Sequence, residues 1–545
     1  MGLTELHLLD GQTVAPGDVD KVRAWPARIL LLLLLAGSVF LALRIFLLPV
    51  PLGAIAPPHD FSAMRALRQV EALAGSPPGG VEAFLAAQLA ALGLGPESGV
   101  PGQRCVAARL RGTEPTGTIL LLTSYDPAGS APGTAGAASM LEALRTFLTG
   151  PRPKNDVIVL FSATRPLDAA AVAGHGASLV LLFERLSDRG PVALIGTSLE
   201  NGWILREALR DLPHPTVFLA SNDVVGRPAG EGTAFLSFAA VGGPAAGSST
   251  PDARTLQDSG ETVLALLGRL GNLPLPPPRA PDLVAFNVGR DQAVSYPASW
   301  SRAGGIVAAI AAALLLALGV GRRRLGSEDF ATGVVLFPLV VALASAIAAA
   351  ALALLVRWNP GGHVLPWGTP HSAWFSGGVL ALAVSVTAAL DVFLRGRRSS
   401  ASADHGLAAA ALFWWAILAA VSGFRFPDLA PLAVVPALLL VPLFLVLFLL
   451  EDPSRHPWLQ TLAVALVAVP AVLLLTPVWR LLDVAAGWVA PAPRYFIAAV
   501  SAGLGAFLAA TLLPHLSLSR RRWVFPAFCL VAAVGLLAAG ARLTP

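Results

Sequence analysis

The sequence predicts an integral membrane protein in two parts: an α/β domain outside the cytoplasm, with a largely parallel sheet between helices, and an all-α membrane domain, giving about nine transmembrane helices. Three observations predict it. Only 13% of the 545 residues are charged and 55% are hydrophobic, where soluble proteins carry roughly 25% charged residues. The mean hydropathy of +0.69 is concentrated in runs of the ~20 apolar residues that cross a bilayer. The stretch 57–297 lacks such runs and balances acidic against basic residues. This composition excludes a cytosolic enzyme and a disordered scaffold. The basic residues are scattered, so the net charge of +5 does not imply nucleic acid as a partner. Two cysteines, Cys105 and Cys529, exclude a disulfide framework and a Cys-based zinc site.

The first element is an anchor at 29–50, after a cytoplasmic N-terminus at 1–28. Lys21, Arg23 and Arg28 precede it and hold that end inside. A cleaved signal peptide is the competing reading, but the run is long, starts late and has no small-x-small cleavage site before Pro49-Val50-Pro51. The following ~240 residues suffice for one domain with its own core, closed by the Pro-rich linker 274–278. From 300 to 545, eight further spans are expected near 303–320, 331–356, 373–394, 407–424, 431–450, 459–478, 494–513 and 524–541. Arg322–Arg324, Arg395/Arg397/Arg398 and Arg520–Arg522 fall in alternate loops, while Trp358, Trp367, Trp374, Trp479 and Trp488 mark the others. The topology is N-terminus inside, C-terminus outside, with membrane lipid as a partner. Only Lys21 and Lys154 among 38 basic residues are lysine, in a chain rich in Ala, Gly, Pro and Leu. That fits a GC-rich bacterial genome and therefore the inner (plasma) membrane.

Asp391, Arg480 and Asp483 sit at span ends. No span centre carries a charge, which argues against an ion-coupled transporter. His363 and His371, in the loop 357–372, have no further ligands nearby in sequence and read as solvated.

In the outer domain, unbroken apolar runs at Thr118–Thr123, Asp156–Phe161, Val192–Ile195 and Thr216–Ala220 read as buried parallel strands, and Ala234–Val241 as a fifth. Helical patterns occupy Ala135–Leu148, Gly202–Leu212 and Leu256–Leu270. Strand–helix alternation gives an α/β sandwich, whose function is sought past the carboxyl ends of the strands.

Those strand ends carry Ser124-Tyr125-Asp126, then Pro132-Gly133 leading to Met140-Leu141-Glu142-Ala143-Leu144-Arg145, then Thr164-Arg165, and finally Ser249-Thr250-Pro251-Asp252. In order and spacing, 60–270 resembles the di-zinc exopeptidase family, which includes aminopeptidases and membrane metallopeptidases. The resemblance implies two zinc ions held by His, Asp and Glu, with a Glu as general base. Set against the family, the first His is Ser124, the bridging Asp falls at Pro132, and the Glu-Glu pair is Thr164-Arg165. The second Asp falls near Thr197, with Glu200 displaced, and the last His is Ser249. Only Asp126 keeps the family residue, in a role that orients the first His.

A hydroxyl does not replace imidazole, and a buried Arg165 would repel a dication. The expectation is therefore a degenerate member with no catalytic residue and no metal, zinc being the family's cofactor but its ligands absent. A regrouped site of His59, His175 and His214 with Asp126 or Glu200, a serine nucleophile at Ser124, and a reactive Cys105 are weaker readings; no Gly-x-Ser-x-Gly elbow surrounds Ser124. The functional expectation is binding or assembly of a peptide, envelope protein or partner subunit outside the cytoplasm. The alternatives are an active metallopeptidase with unusual ligands and an accessory or transport subunit.

Overall fold

The computed structural model describes residues 16–44, 47–163 (except 78, 98 and 100–102), 176–184, 186, 190–219, 222–223, 233–241, 250–289, 292–358, 370–397, 406–450, 457–486 and 523–542. Helix α1 (Pro16–Leu43) leads into an α/β domain. Its strands are β1 (Gly95–Pro96), β2 (Cys105–Leu110), β3 (Thr118–Ser124), β4 (Asp156–Ser162), β5 (Leu179–Glu184), β6 (Val192–Thr197), β7 (Thr216–Val217) and β8 (Ala234–Ala240). They form one mixed sheet in the order β1-β2-β4-β3-β5-β8-β6-β7.

The four central strands β4, β3, β5 and β8 are parallel. Their residues are buried on both faces, as the unbroken apolar runs require. Five helices join the core on one face: α2 (Ala63–Ala74), α3 (Gly80–Ala91), α4 (Ala131–Phe147), α5 (Gly202–Asp211) and α6 (Ala253–Leu270). Side-chain caps start three of them. Ser62 accepts from Arg65 N, Ser130 from Gly133 N and Asp252 from Arg254 N, each filling an otherwise orphaned helix donor. Phe61, buried at the end of the lead-in from the anchor, lies on α6 at Gly260, where an added Cβ would come within 2.1 Å of the ring.

The sequence reading needs correction at three points here. Strand β6 is not parallel to the central strands but runs antiparallel to β8. The connection 185–191 that feeds it is too short for the crossover a parallel neighbour requires. Strand β5, absent from the expected set, occupies the position between β3 and β8. The run expected at Thr216–Ala220 pairs only over Thr216–Val217, on β6.

A hairpin of β9 (Leu283–Gly289) and β10 (Gln292–Pro297) closes the domain. It continues the sheet edge through a bridge between Phe218 and Phe286.

The helices that follow are α7 (Ala298–Gly321), α8 (Ser327–Trp358), α9 (Pro370–Arg397), α10 (Gly406–Arg425), α11 (Pro431–Leu449), α12 (Pro457–Ala486) and α13 (Val524–Arg542). Among the described residues four segments are long and apolar enough to cross a membrane: Ala298–Gly321, Ser327–Ile347, Gly406–Arg425 and Pro431–Leu449. This is consistent with a membrane protein; nine spans are not supported among the described residues. Shorter apolar stretches lie at Ile29–Ala42, Gly377–Leu390, Thr461–Leu474 and Pro526–Ala538. The span expected at 494–513 lies outside the described residues, as does His363; His371 falls in α9. Helices α1, α7, α10, α11 and α12 share one apolar core. Backbones of α7 and α10 touch at Gly305 and Gly423, where a Cβ would lie 2.7 Å from Ala419 O and 2.5 Å from Ser301 O.

Candidate functional site

Ser124, Ser162 and Glu184 end β3, β4 and β5 at the same edge of the sheet, and Cys105 opens β2 opposite Ser162. Glu184 is the acidic residue that the sequence reading missed. Thr123 pairs with Phe183, so Ser124 and Glu184 stand level on neighbouring strands. The signal that would have found it is the apolar run Leu179–Phe183, as unbroken as that of β3.

Past Ser124 the chain turns. Asp126 Oδ1 accepts from Ala128 N at 2.9 Å, and its Oδ2 accepts from the Ser130 hydroxyl. Asp126 N donates to Gly133 O at 3.0 Å. Gly129, at φ 74°, makes the bend that an L side chain resists. At Gly133 a Cβ would lie 2.3 Å from Asp126 Cβ, so glycine is what lets the turn close. Asp126 thereby positions Ser130 as the cap of α4. Its carboxylate takes part in the turn that leads into Pro132.

Beside this turn Tyr125 donates to Glu82 Oε1 at 2.8 Å, and Arg104 pairs with the same carboxylate. Burial opposes the charge on Glu82. Hydrogen bonds from its own backbone N–H, Tyr125 and Arg104 prevail and hold the carboxyl below its ordinary range. Burial, and then Glu82, push the Tyr125 phenol up.

On the far turns of α4, Glu142 is 1% exposed. It accepts from Arg65 Nε at 2.7 Å and from Arg145 Nε at 2.8 Å. Arg65 reaches on to the carbonyls of Ala54 and Ala56. The Glu-x-x-Arg pattern is thus the clamp on the lead-in from α1.

Thr197 is not brought to this edge. Because β6 is antiparallel, its carboxyl end runs the other way, and Thr197 joins a buried polar junction with the apolar helices that follow the domain. Its N–H donates to Asn222 Oδ1 at 3.2 Å, and its hydroxyl accepts from Asn201 Nδ2 at 2.7 Å. Asn222 Nδ2 reaches Asp428 Oδ2 at 3.2 Å in the turn before α11. Asp223 Oδ2 accepts from the N–H groups of Asp428 and Leu429 at 2.8 and 3.0 Å. Tyr296 Oη shares a 3.0 Å hydrogen bond with Ser301 Oγ, which donates to Pro427 O. Burial first, and then the Asp428 charge, raise the Tyr296 phenol.

Glu200, at φ 55°, faces Arg279 at 3.3 Å near the same end of β6. His59 is exposed beside Asp60, and His214 lies between α5 and β7. Thr164, Arg165, His175 and Ser249 lie outside the described residues.

Zinc takes imidazole, thiolate or carboxylate donors. At the described strand ends the family's first ligand position offers the Ser124 hydroxyl, and Asp126 offers a carboxylate already held by Ala128 and Ser130. Among the described residues no three His, Cys, Asp or Glu converge. The described residues do not fit a zinc pair, and no step through zinc follows from them.

No family model and no curated protein matches the chain. Among solved structures it is similar to glutaminyl cyclase of Porphyromonas gingivalis, at 17% identity in one structure and 15% in another. Each match covers 38% of this chain and 99% of that chain with a TM-score of 0.28. A likeness that slight bears on neither the fold nor the chemistry of this chain.

Proposed function

We propose that this is a membrane-anchored, catalytically inactive relative of the zinc exopeptidases. Its outer α/β domain binds or assembles a peptide, an envelope protein or a partner subunit. The observation that carries the reading is Asp126: the one residue retained from the family's metal-site pattern is held by its own turn, beside a hydroxyl where the first imidazole would stand. With the apolar segments that fall short of a full span and the segment 494–513, the chain reaches nine spans, the anchor and eight in the membrane domain. The N-terminus is then inside, and the 57–297 domain and C-terminus lie outside a bacterial inner membrane.

The test is elemental analysis of the full-length protein, purified in detergent and equilibrated with zinc. The proposal expects no stoichiometric metal. One or two tightly held zinc ions per chain would overturn it and favour the runner-up, an active metallopeptidase of aminopeptidase type. One observation favours that runner-up: Glu184 puts a second carboxylate level with Ser124 at the sheet edge. Assays on peptides with free N-termini would then follow. A membrane complex in which this chain is an accessory or transport subunit would show as co-purifying polytopic partners.

A further inference from the structure

Among the described residues, the outer domain exposes few large apolar side chains away from its connections to the helices. Among the described residues of 57–282, only Met64 and Leu199 are exposed large hydrophobics. The two segments that join this domain to α1 and α7 are different. Leu47, Val50, Leu52 and Ile55 are exposed after α1, with Val50 at 81% and Ile55 fully accessible. Val288, Val294 and Trp300 are exposed at the hairpin and the first turn of α7. The segment 45–57 contains no charged residue at all, and 283–301 contains only Arg290 and Asp291. Water-facing connections usually carry polar and charged groups, so an apolar, exposed and nearly uncharged belt marks an interaction surface.

The hairpin register shows what that surface continues. Residues alternate between faces along a strand, so Val284, Phe286 and Val288 share one face of β9, opposite Tyr296 and Val294 of β10. At one end this face is already engaged with the helical part. Phe286 stacks edge-on to Tyr296, Tyr296 bonds to Ser301 of α7, and β9 contacts α1 and α12. Towards the hairpin tip the same face runs on into Val288 and Val294, each more than 40% exposed. The occupant is therefore one that begins where the apolar helices end.

We propose that β9–β10, with Trp300 and the lead-in residues Val50 and Ile55, forms a foot seated in the bilayer's headgroup–acyl boundary. There aromatic and aliphatic side chains without charge are favoured. The foot fixes the height and tilt of the outer domain on the lipid, independently of any peptide that domain holds. It rests on the membrane reading of the helices.

The test uses full-length protein with Cys105 and Cys529 replaced by serine, in nanodiscs of phosphatidylethanolamine and phosphatidylglycerol. Bimane is placed at V288C or V294C, and nitroxide lipids of shallow and deep position act as quenchers. Labels at A86C, on α3 beside β1 and β2 at the opposite end of the sheet, and at L418C, exposed on α10, are the controls. The foot predicts quenching by shallow nitroxide at both valines at least ~two-fold above that at A86C. Quenching at the valines equal to A86C, with L418C quenched by the deep probe, overturns the foot alone. If L418C too escapes the deep probe, the membrane reading fails with it. Valine labels inaccessible to both lipid and aqueous quenchers would overturn the foot in favour of a protein cover.

Discussion

Asp126 and Asp223 both follow a strand of the outer domain, and both accept hydrogen bonds from backbone N–H groups, yet they do opposite things. Asp126 works on its own neighbourhood, taking Ala128 N and Ser130 Oγ and closing the turn into α4. Asp223 takes the N–H groups of Asp428 and Leu429, more than 200 residues away in the chain, and holds the turn that starts α11. The turn past β3, at the carboxyl ends of the parallel strands, closes on itself. The junction at the carboxyl end of β6 is stitched to the turn before the apolar helix α11. Among the described residues, Asp126 thus serves local shape and Asp223 serves attachment.

The comparison breaks most visibly at Glu142. Replacing it with alanine leaves Arg65 and Arg145 facing each other without a counter-charge and frees the 54–60 segment. Removing one partner of a buried pair costs about 3 kcal/mol, at the lower end of the usual range because both guanidinium groups keep some solvent. Chemical denaturation of the full-length protein in detergent, followed by a probe in the α/β domain, measures it. Glu142→Gln, which keeps the shape and some of the hydrogen bonds, should lose less. A loss well under ~1 kcal/mol for the alanine would mean that the clamp on the lead-in is made elsewhere.

Asp223→Ala sharpens the contrast between stability and attachment. It removes a cap of the kind worth about 1 kcal/mol, but one that spans two parts of the molecule. Hydrogen exchange of the amides of Asp428 and Leu429 should accelerate roughly five-fold, while denaturation of the α/β domain stays where it was. Equal loss at both places would mean that the junction belongs to the domain's core, and the distinction drawn from Asp126 and Asp223 would fall.

How far these features were legible in the sequence follows the same division. Strands β3, β4 and β8 and helices α4, α5 and α6 were readable because their signals are local: an unbroken apolar run, or apolar residues recurring at helical spacing. Ser124, Asp126 and the Glu142-x-x-Arg145 pattern lie at the ends or on the faces of those elements, so their places could be read too. Strand β5 carries the same signal, but the order of family landmarks directed attention to 192–198 for an acidic residue, past Glu184. The direction of β6 depends on which strand it pairs with, and nothing within Val192–Thr197 states that. Thr197 was therefore assigned to the wrong end of the sheet. Its partners Asn222 and Asp428 are non-local and leave no pattern around it. In the helical part, Arg322–Arg324 fall at the turn between α7 and α8, whereas Arg395 and Arg397 lie within α9 and 520–522 lie outside the described residues. Among the described residues the continuous apolar length required of a span is met at four segments.

The smallest effect concerns pH and the Tyr125–Glu82–Arg104 cluster beside the Asp126 turn. The Glu82 carboxyl is held below its ordinary range in the fold. Its contribution to stability is therefore present above the unfolded value of about 4.3 and is lost as the pH falls through the folded value. Tyr125 has the reverse sign. Its phenol is pushed up, so its contribution is complete below about pH 10 and disappears only as alkali reaches the raised folded value. Melting of the wild type and of Glu82→Gln, compared from neutral pH downwards, should show a modest gap at neutrality that closes in acid, because the protonated wild type then resembles the amide. A gap that widens in acid would reverse the sign and mean that Glu82 is protonated in the folded chain. The cluster would then be a poised acid at the sheet edge, and the self-stitched edge contrasted here with the Asp223 junction would have to be reconsidered as a site of chemistry.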